Sequence, residues 1–75
     1  MVRDKNNPTA SFLRERRKAS KLTQVQLADL AGVGLRLVRD VEQGKPNLHM
    51  EKVDLLLAFF GHRLGPVPLN EAYEP

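Results

Sequence analysis

The sequence predicts a mainly α protein: a compact four-helix domain followed by a short C-terminal β-strand. Three observations lead there. Apolar residues recur at helical spacing, most clearly Val53, Leu56, Leu57 and Phe60 at i, i+3, i+4 and i+7. Glycines at 32, 34, 44 and 61 divide the chain into short segments. Only the C-terminal "HRLGPVPL" alternates as a strand does, and its two prolines restrict it to an edge strand or an extended arm.

Residues 1–7 are polar and are expected to be flexible. Asn7 and Pro8 suit a helix start, with Asn as cap and Pro as the first helical residue. The first helix is predicted from Pro8 to Ser20. Phe12, Leu13 and the aliphatic stem of Arg16 or Arg17 face inward, and Arg14, Arg16, Arg17 and Lys18 make a dense basic outer face. Thr23 caps the second helix and, with Gln26 three residues on, fits a capping box. Leu27, Leu30 and Ala31 form its inward face, Ala28 allows close packing, and Gly32 ends it in the left-handed conformation. A third helix starts after Gly34, turns Val38 and Val41 inward, and ends near Gln43 and Gly44. The fourth spans Met50 to Phe60 and stops at Gly61. Residues 8–61 thus form one domain, 62–69 the strand, and 70–75 a flexible tail.

A chain of 75 residues makes a single small domain, marginal in stability when alone. Such a scaffold needs a disulfide, a metal or a second subunit. The absence of cysteine excludes disulfides and thiol chemistry. His49 and His62 without a thiolate make a poor zinc set, so no metal is expected and oligomerisation is left as the support. The N-terminus lacks the apolar run of a secretory signal, and "VDLLLAFF" falls far short of the ~20 residues of a membrane helix. A soluble, cytoplasmic protein that does not engage a membrane is therefore expected. Residues 1–45 carry ten Lys/Arg against five Asp/Glu, a net +5; residues 46–75 carry two against four, a net −2. That asymmetry suits a polyanionic partner, although a solvated helix face produces the same pattern.

Two helices joined by a short glycine-containing turn, as in "LTQVQLADLAGVGLRLVRDVEQGK", make a helix-turn-helix arrangement. The first helix of such a pair braces across the phosphate backbone; the second lies in the major groove with side chains toward base edges. The stretch resembles the family of lambdoid phage repressors and Cro, also called the XRE family, whose motif looks like "LTQxxLAxxaGvsxxxxxxxExGK". Leu22, Thr23, Gln24, Leu27, Ala28, Gly32, Val33, Glu42, Gly44 and Lys45 fill its positions. The four-helix, lambda-repressor-like resemblance covers residues 10–61. Two positions depart from it. Gly34 stands where the family has a Ser or Thr cap, and Lys21 where many members have glycine, which predicts a different route out of the first helix.

A narrower resemblance runs through "RERRKASKLTQVQLADLAGV" and "VEQGKPNLHMEKVDLLLAFFGHRL" together with the C-terminal strand. These look like the HipB-type antitoxins, small dimeric operator-binding proteins paired with HipA-type kinase toxins. The resemblance implies a homodimer on double-stranded operator DNA, a HipA-like kinase toxin as a further partner, nucleoid association, and no cofactor.

The DNA-facing set is then Thr23, Gln24, Gly34, Leu35, Arg36, Arg39, Asp40, Gln43 and Lys45. By resemblance the Gln24 amide bonds a phosphate beside the helix N-terminus. Leu35, Arg36, Arg39 and Asp40 occupy outward positions of the recognition helix. Arg36 and Arg39 suit guanine O6/N7 or a phosphate, and Leu35 or Leu37 a thymine methyl, unless Leu37 belongs to the core. Asp40 would accept from cytosine N4 or orient Arg36 one turn away. Gln43 and Lys45 suit phosphates, which position without specifying. The resemblance also implies a structural ion pair between Arg17 and Glu42. In the last segment, His62, Arg63, Leu64, Gly65 and Val67 are expected to pair antiparallel with a second chain; Leu69 continues the alternation, and Pro66 and Pro68 blunt the other edge.

The leading expectation is a sequence-specific repressor acting as the antitoxin of a HipBA-like operon. A stand-alone Cro-like regulator is the alternative, and an interaction module that has lost DNA binding a third. No catalytic residues are expected, because neither histidine has an acid–base constellation around it.

Overall fold

The computed structural model describes residues 7–68. Among them lie four helices: α1 (Pro8–Ala19), α2 (Gln24–Ala31), α3 (Leu35–Glu42) and α4 (Met50–Ala58). Local chemistry sets their starts. The Asn7 side chain accepts from the Ala10 N–H at 2.7 Å, with Pro8 in the first turn. Thr23 and Gln26 close a reciprocal box: Gln26 N–H donates to Thr23 Oγ1 at 3.1 Å and Thr23 N–H to Gln26 Oε1 at 2.8 Å. Gly34 and His49 precede α3 and α4 without a side-chain cap.

All four helices finish in one way. A residue at positive φ folds the chain back, and its own N–H and the one after it reach the orphan carbonyls of the last turn. Lys21 (φ 58°), Gly32 (φ 74°), Gly44 (φ 69°) and Gly61 (φ 73°) hold the turning position. After α1, Leu22 N–H reaches the Arg17 carbonyl at 3.1 Å and Lys21 N–H that of Lys18 at 2.9 Å. Lys21 thus corrects the expectation of a different route: α1 leaves by the route glycine would take, with a lysine in the left-handed conformation.

The core is built from all four helices. Leu13, Leu27, Val38 and Leu56 are fully buried, surrounded by Ala28, Val41, Val53 and Leu57. Each fully buried leucine contributes roughly 1.5–3 kcal/mol relative to exposure. Phe12 and Phe60 close one side, edge to face at 6.4 Å. Arg16 lies over both rings, at 5.6 and 5.8 Å, so its stem and charge cover this pair.

Four expectations need correcting. Leu30 is 60% exposed. At 3.6 residues per turn it sits about 100° round the helix from the centre of the Leu27, Ala28 and Ala31 face. α4 ends at Ala58 rather than Phe60, because Phe59, Phe60 and Gly61 donate three residues back and tighten the final turn. Arg14 and Arg17 are half-buried and turn inward, so the basic outer face of α1 is thinner than its composition implies. Finally, no strand exists among the described residues: 62–68 run without regular structure. A strand needs a ladder, and the nearest bond is instead Leu64 N–H to the Asp54 carboxylate at 2.7 Å, with Leu64 packed on the core. Of the segments expected to be flexible, residues 1–6 and 70–75 lie outside the described residues, as does Leu69.

Candidate nucleic-acid interface

α2 and α3 are joined by Gly32, Val33 and Gly34. Gly32 turns the chain, Val33 N–H closes on the Ala28 carbonyl at 3.0 Å, and the half-buried Val33 side chain packs on the core. α3 is eight residues long and divided lengthwise. Val38, Val41 and Glu42 are buried, whereas Arg36 and Arg39 are exposed.

Glu42 is the junction of three helices. Among the described residues it is the buried charged one, 4% exposed. Its Oε2 accepts from Arg17 Nε at 2.7 Å, and its Oε1 from Arg17 Nη2 at 3.0 Å and Gln24 Nε2 at 3.2 Å. Its carbonyl accepts from Arg14 Nη1. Arg17 Nη1 also donates to the Leu22 carbonyl at 2.9 Å, tying the α1–α2 turn to the same cluster. The hydrogen bond to Glu42 pushes the Arg17 pKa up from an already high value; burial opposes this and the Glu42 charge adds to it. One carboxylate therefore fixes the last residue of α3 against α1 and the first of α2.

A second cluster lies on the solvent side of α3. Asp40 Oδ2 stands 3.9 Å from Arg36 Nε and 3.6 Å from Lys45 Nζ. Lys45 arrives there through its backbone. Gly44 at positive φ folds the chain over the last turn, and Lys45 N–H bonds the Asp40 carbonyl at 3.0 Å.

The structure sorts the sequence-derived set as follows. Arg36 and Arg39 project from α3, Lys45 flanks its end, and Asp40 links Arg36 to Lys45. Gln24 begins α2 with one amide hydrogen on Glu42, which leaves its second for a ligand. Thr23 is occupied in capping, and Gly34 offers only backbone. Leu35 is half-buried and packs on the core, as does Leu37, so neither stands fully outward. Gln43 is half-buried at the end of α3. His62, Arg63, Gly65 and Val67 are exposed and Leu64 is half-buried; the His62 ring lies 4.4 Å from that of Phe12. His49 is exposed ahead of α4. Among the described residues no cluster of His, Asp and Glu is arranged to hold a metal, and no helix is long and apolar enough to cross a membrane.

Three contacts were missed from sequence: Arg14 on the Glu42 carbonyl, Gln24 on its carboxylate, and Lys45 on Asp40. The last had a signal. A glycine one residue beyond a helix cap brings the following residue back to the carbonyl five positions earlier.

A braced pair of helices with a cationic solvent face is the arrangement of a helix-turn-helix protein. The chain belongs to the helix-turn-helix family, whose model matches residues 13–64. It is similar to an uncharacterized HTH-type transcriptional regulator, y4mF, of Sinorhizobium fredii, 47% identical over 45 residues, covering 60% of this chain and 59% of that protein. The chain thus spans under two thirds of that relative's length. No solved structure matches it.

Proposed function

We propose that this chain is a sequence-specific DNA-binding transcriptional repressor, with α3 as the helix that enters the major groove. The observation that carries the reading is the division of α3. Its inner face is locked by Val38, Val41 and the Glu42 junction, while the Arg36 side chain is 87% exposed. A rigidly seated helix with projecting arginines is what base reading requires. The name of the S. fredii relative supports the regulatory role. The test is a salt titration of the full chain on a duplex enriched from a randomised library and on random duplex. Equal affinity for both at every salt concentration overturns the reading.

The same proposal extends to a cytoplasmic, nucleoid-associated homodimer on a palindromic operator, with half-sites about 34 Å apart, one helical turn. The small size of the domain supports it, as do the exposed Leu55, Phe59 and Val67. The arm at 62–68 is the proposed contact between copies. In an extended chain, alternate N–H groups point to opposite edges. Leu64 N–H is taken by Asp54, and Pro66 and Pro68 have none, so that edge is closed. Arg63, Gly65 and Val67 carry the N–H groups of the other.

The antitoxin role, with a HipA-like kinase toxin as partner, rests on the resemblance of "VEQGKPNLHMEKVDLLLAFFGHRL" to HipB-type proteins. A stand-alone regulator without a toxin is the second reading; the S. fredii relative is named an HTH-type transcriptional regulator. Co-purification with a kinase-like protein encoded beside it decides between them. No catalytic activity forms part of either reading.

A further inference from the structure

We propose that Asp40 is a specificity-determining residue. It aims the Arg36 fork toward the groove and holds Lys45 back from phosphate, so that tight binding follows only where Arg36 meets its base. The inference rests on the DNA-binding reading above.

Three observations carry it. Arg36 Nε and Lys45 Nζ both approach a single oxygen, Asp40 Oδ2, at 3.9 and 3.6 Å. Both distances exceed a hydrogen bond, so these are electrostatic restraints that a competing anion can open. Second, the Asp40 side chain is 16% exposed and that of Arg36 87%. The carboxylate therefore lies at the foot of the arginine and attracts its Nε end. The two Nη groups are left to project, and that end makes a two-point contact with guanine O6 and N7. Third, the Lys45 position is built into the backbone by the Gly44 turn and the 3.0 Å bond from Lys45 N–H to the Asp40 carbonyl. The chain thus brings the root of the Lys45 side chain beside Asp40, within reach of the carboxylate.

The two effects act on different DNA. Any duplex must draw Lys45 away from Asp40 to place it on a phosphate, and must then bring a carboxylate near its own charge. That is a repulsive element set against indiscriminate binding. Aiming Arg36 helps only a duplex that offers it a base partner. Removing the carboxylate therefore strengthens binding to random DNA while loosening the contact that recognises the correct site.

The test compares the wild-type chain with Asp40→Asn on two probes: a duplex enriched by the wild type from a randomised library, and a random duplex. Asp29→Asn, an exposed acid on α2 outside both pairs, removes the same charge as a control. Circular dichroism checks that all three proteins are equally folded. For Asp40→Asn the expected result is stronger random binding and a fall of about five- to tenfold in the enriched-to-random ratio, the low end of what one two-point base contact supplies. The log–log salt dependence on random duplex should steepen by about one phosphate contact. Asp29→Asn should leave the ratio unchanged. A ratio that stays the same in Asp40→Asn, or that changes equally in Asp29→Asn, overturns the inference while leaving DNA binding intact. A wild-type chain that enriches no duplex overturns the DNA reading and this inference with it.

Discussion

Arg17 and Glu42 stand 25 residues apart in sequence and meet through two hydrogen bonds, Nε to Oε2 at 2.7 Å and Nη2 to Oε1 at 3.0 Å. With side chains 14% and 3% exposed, both ends of the pair are largely out of water. Such a pair need not be net stabilising against an apolar replacement, but removing one end strands the other. Glu42→Ala leaves Arg17 and one Gln24 amide hydrogen without their acceptor and should lower stability by about 3 kcal/mol. Chemical denaturation checks this; a loss below about 0.5 kcal/mol contradicts it. The Arg17 pKa is raised, so its contribution is fully present below the ordinary guanidinium value and is lost only as pH rises through the folded one. Stability owed to Arg17 should therefore stay flat across the neutral range.

Lys21 offers the opposite case, a site where substitution should help. Its φ of 58° holds a side-chain-bearing residue in the left-handed region, where glycine carries no steric penalty. Lys21→Gly should raise stability by about 0.5–1 kcal/mol, after allowance for the greater freedom glycine gives the unfolded chain. A denaturation midpoint that falls with an unchanged slope would contradict it.

Gly34 is a cap position without a capping group. Its φ of −74° suits any residue, and a Cβ there meets nothing within 4 Å. Gly34→Ser should add a few tenths of a kcal/mol by accepting from an orphan N–H of α3. Thermal melts of the two proteins decide it, with a lower melting temperature for the serine variant as the contrary outcome.

Arg36 and Lys45 should separate base reading from positioning. Arg36→Ala is expected to weaken binding to the preferred duplex by ~1–3 kcal/mol and to relax preference at one base pair. Lys45→Ala should weaken binding to the preferred duplex without relaxing preference at any base pair and lower the salt slope there by about 1. Competition binding against single-base variants of the preferred site measures both. Identical preference profiles for wild type and Arg36→Ala would remove Arg36 from base reading.

The arm beyond α4 is expected to join two copies. Deleting residues 62–75 and measuring mass in solution tests this directly. A truncated chain that remains a tight dimer places the contact elsewhere, with the exposed Leu55 and Phe59 on α4 as the next surface to mutate.

The features legible in the sequence are those that local chemistry decides. Asn7 before Pro8, Thr23 with Gln26, and Gly32 each act within one turn, so a few residues suffice to place a helix end. The inward positions of Leu13, Leu27, Val38, Leu56 and Leu57 follow from periodicity in the same way. What failed depended on partners distant in sequence. Leu30 satisfied an i+3 spacing yet lies off the face that α1, α3 and α4 cover. Arg14 belonged to a basic run until the end of α3 supplied a carbonyl for it. "HRLGPVPL" alternates like a strand, but within one chain its backbone finds a carboxylate rather than a neighbouring strand. On the solvent side of α3, the exposure of the arginines was legible by residue type, whereas the Asp40 tie to Lys45 depended on the backbone turn at Gly44.

The junction at Glu42 also bears on how far α3 is portable. Eight residues are too few to remain helical in water without support. Here the support comes from α1, through Arg14 on the final carbonyl and Arg17 on the side chain. Transplanting α2 and α3 into a foreign scaffold would leave behind the two guanidinium groups that hold α3 in place. Retargeting should instead succeed by exchanging Arg36 and Arg39 in situ, because the exposed face of α3 changes independently of the buried face that anchors it.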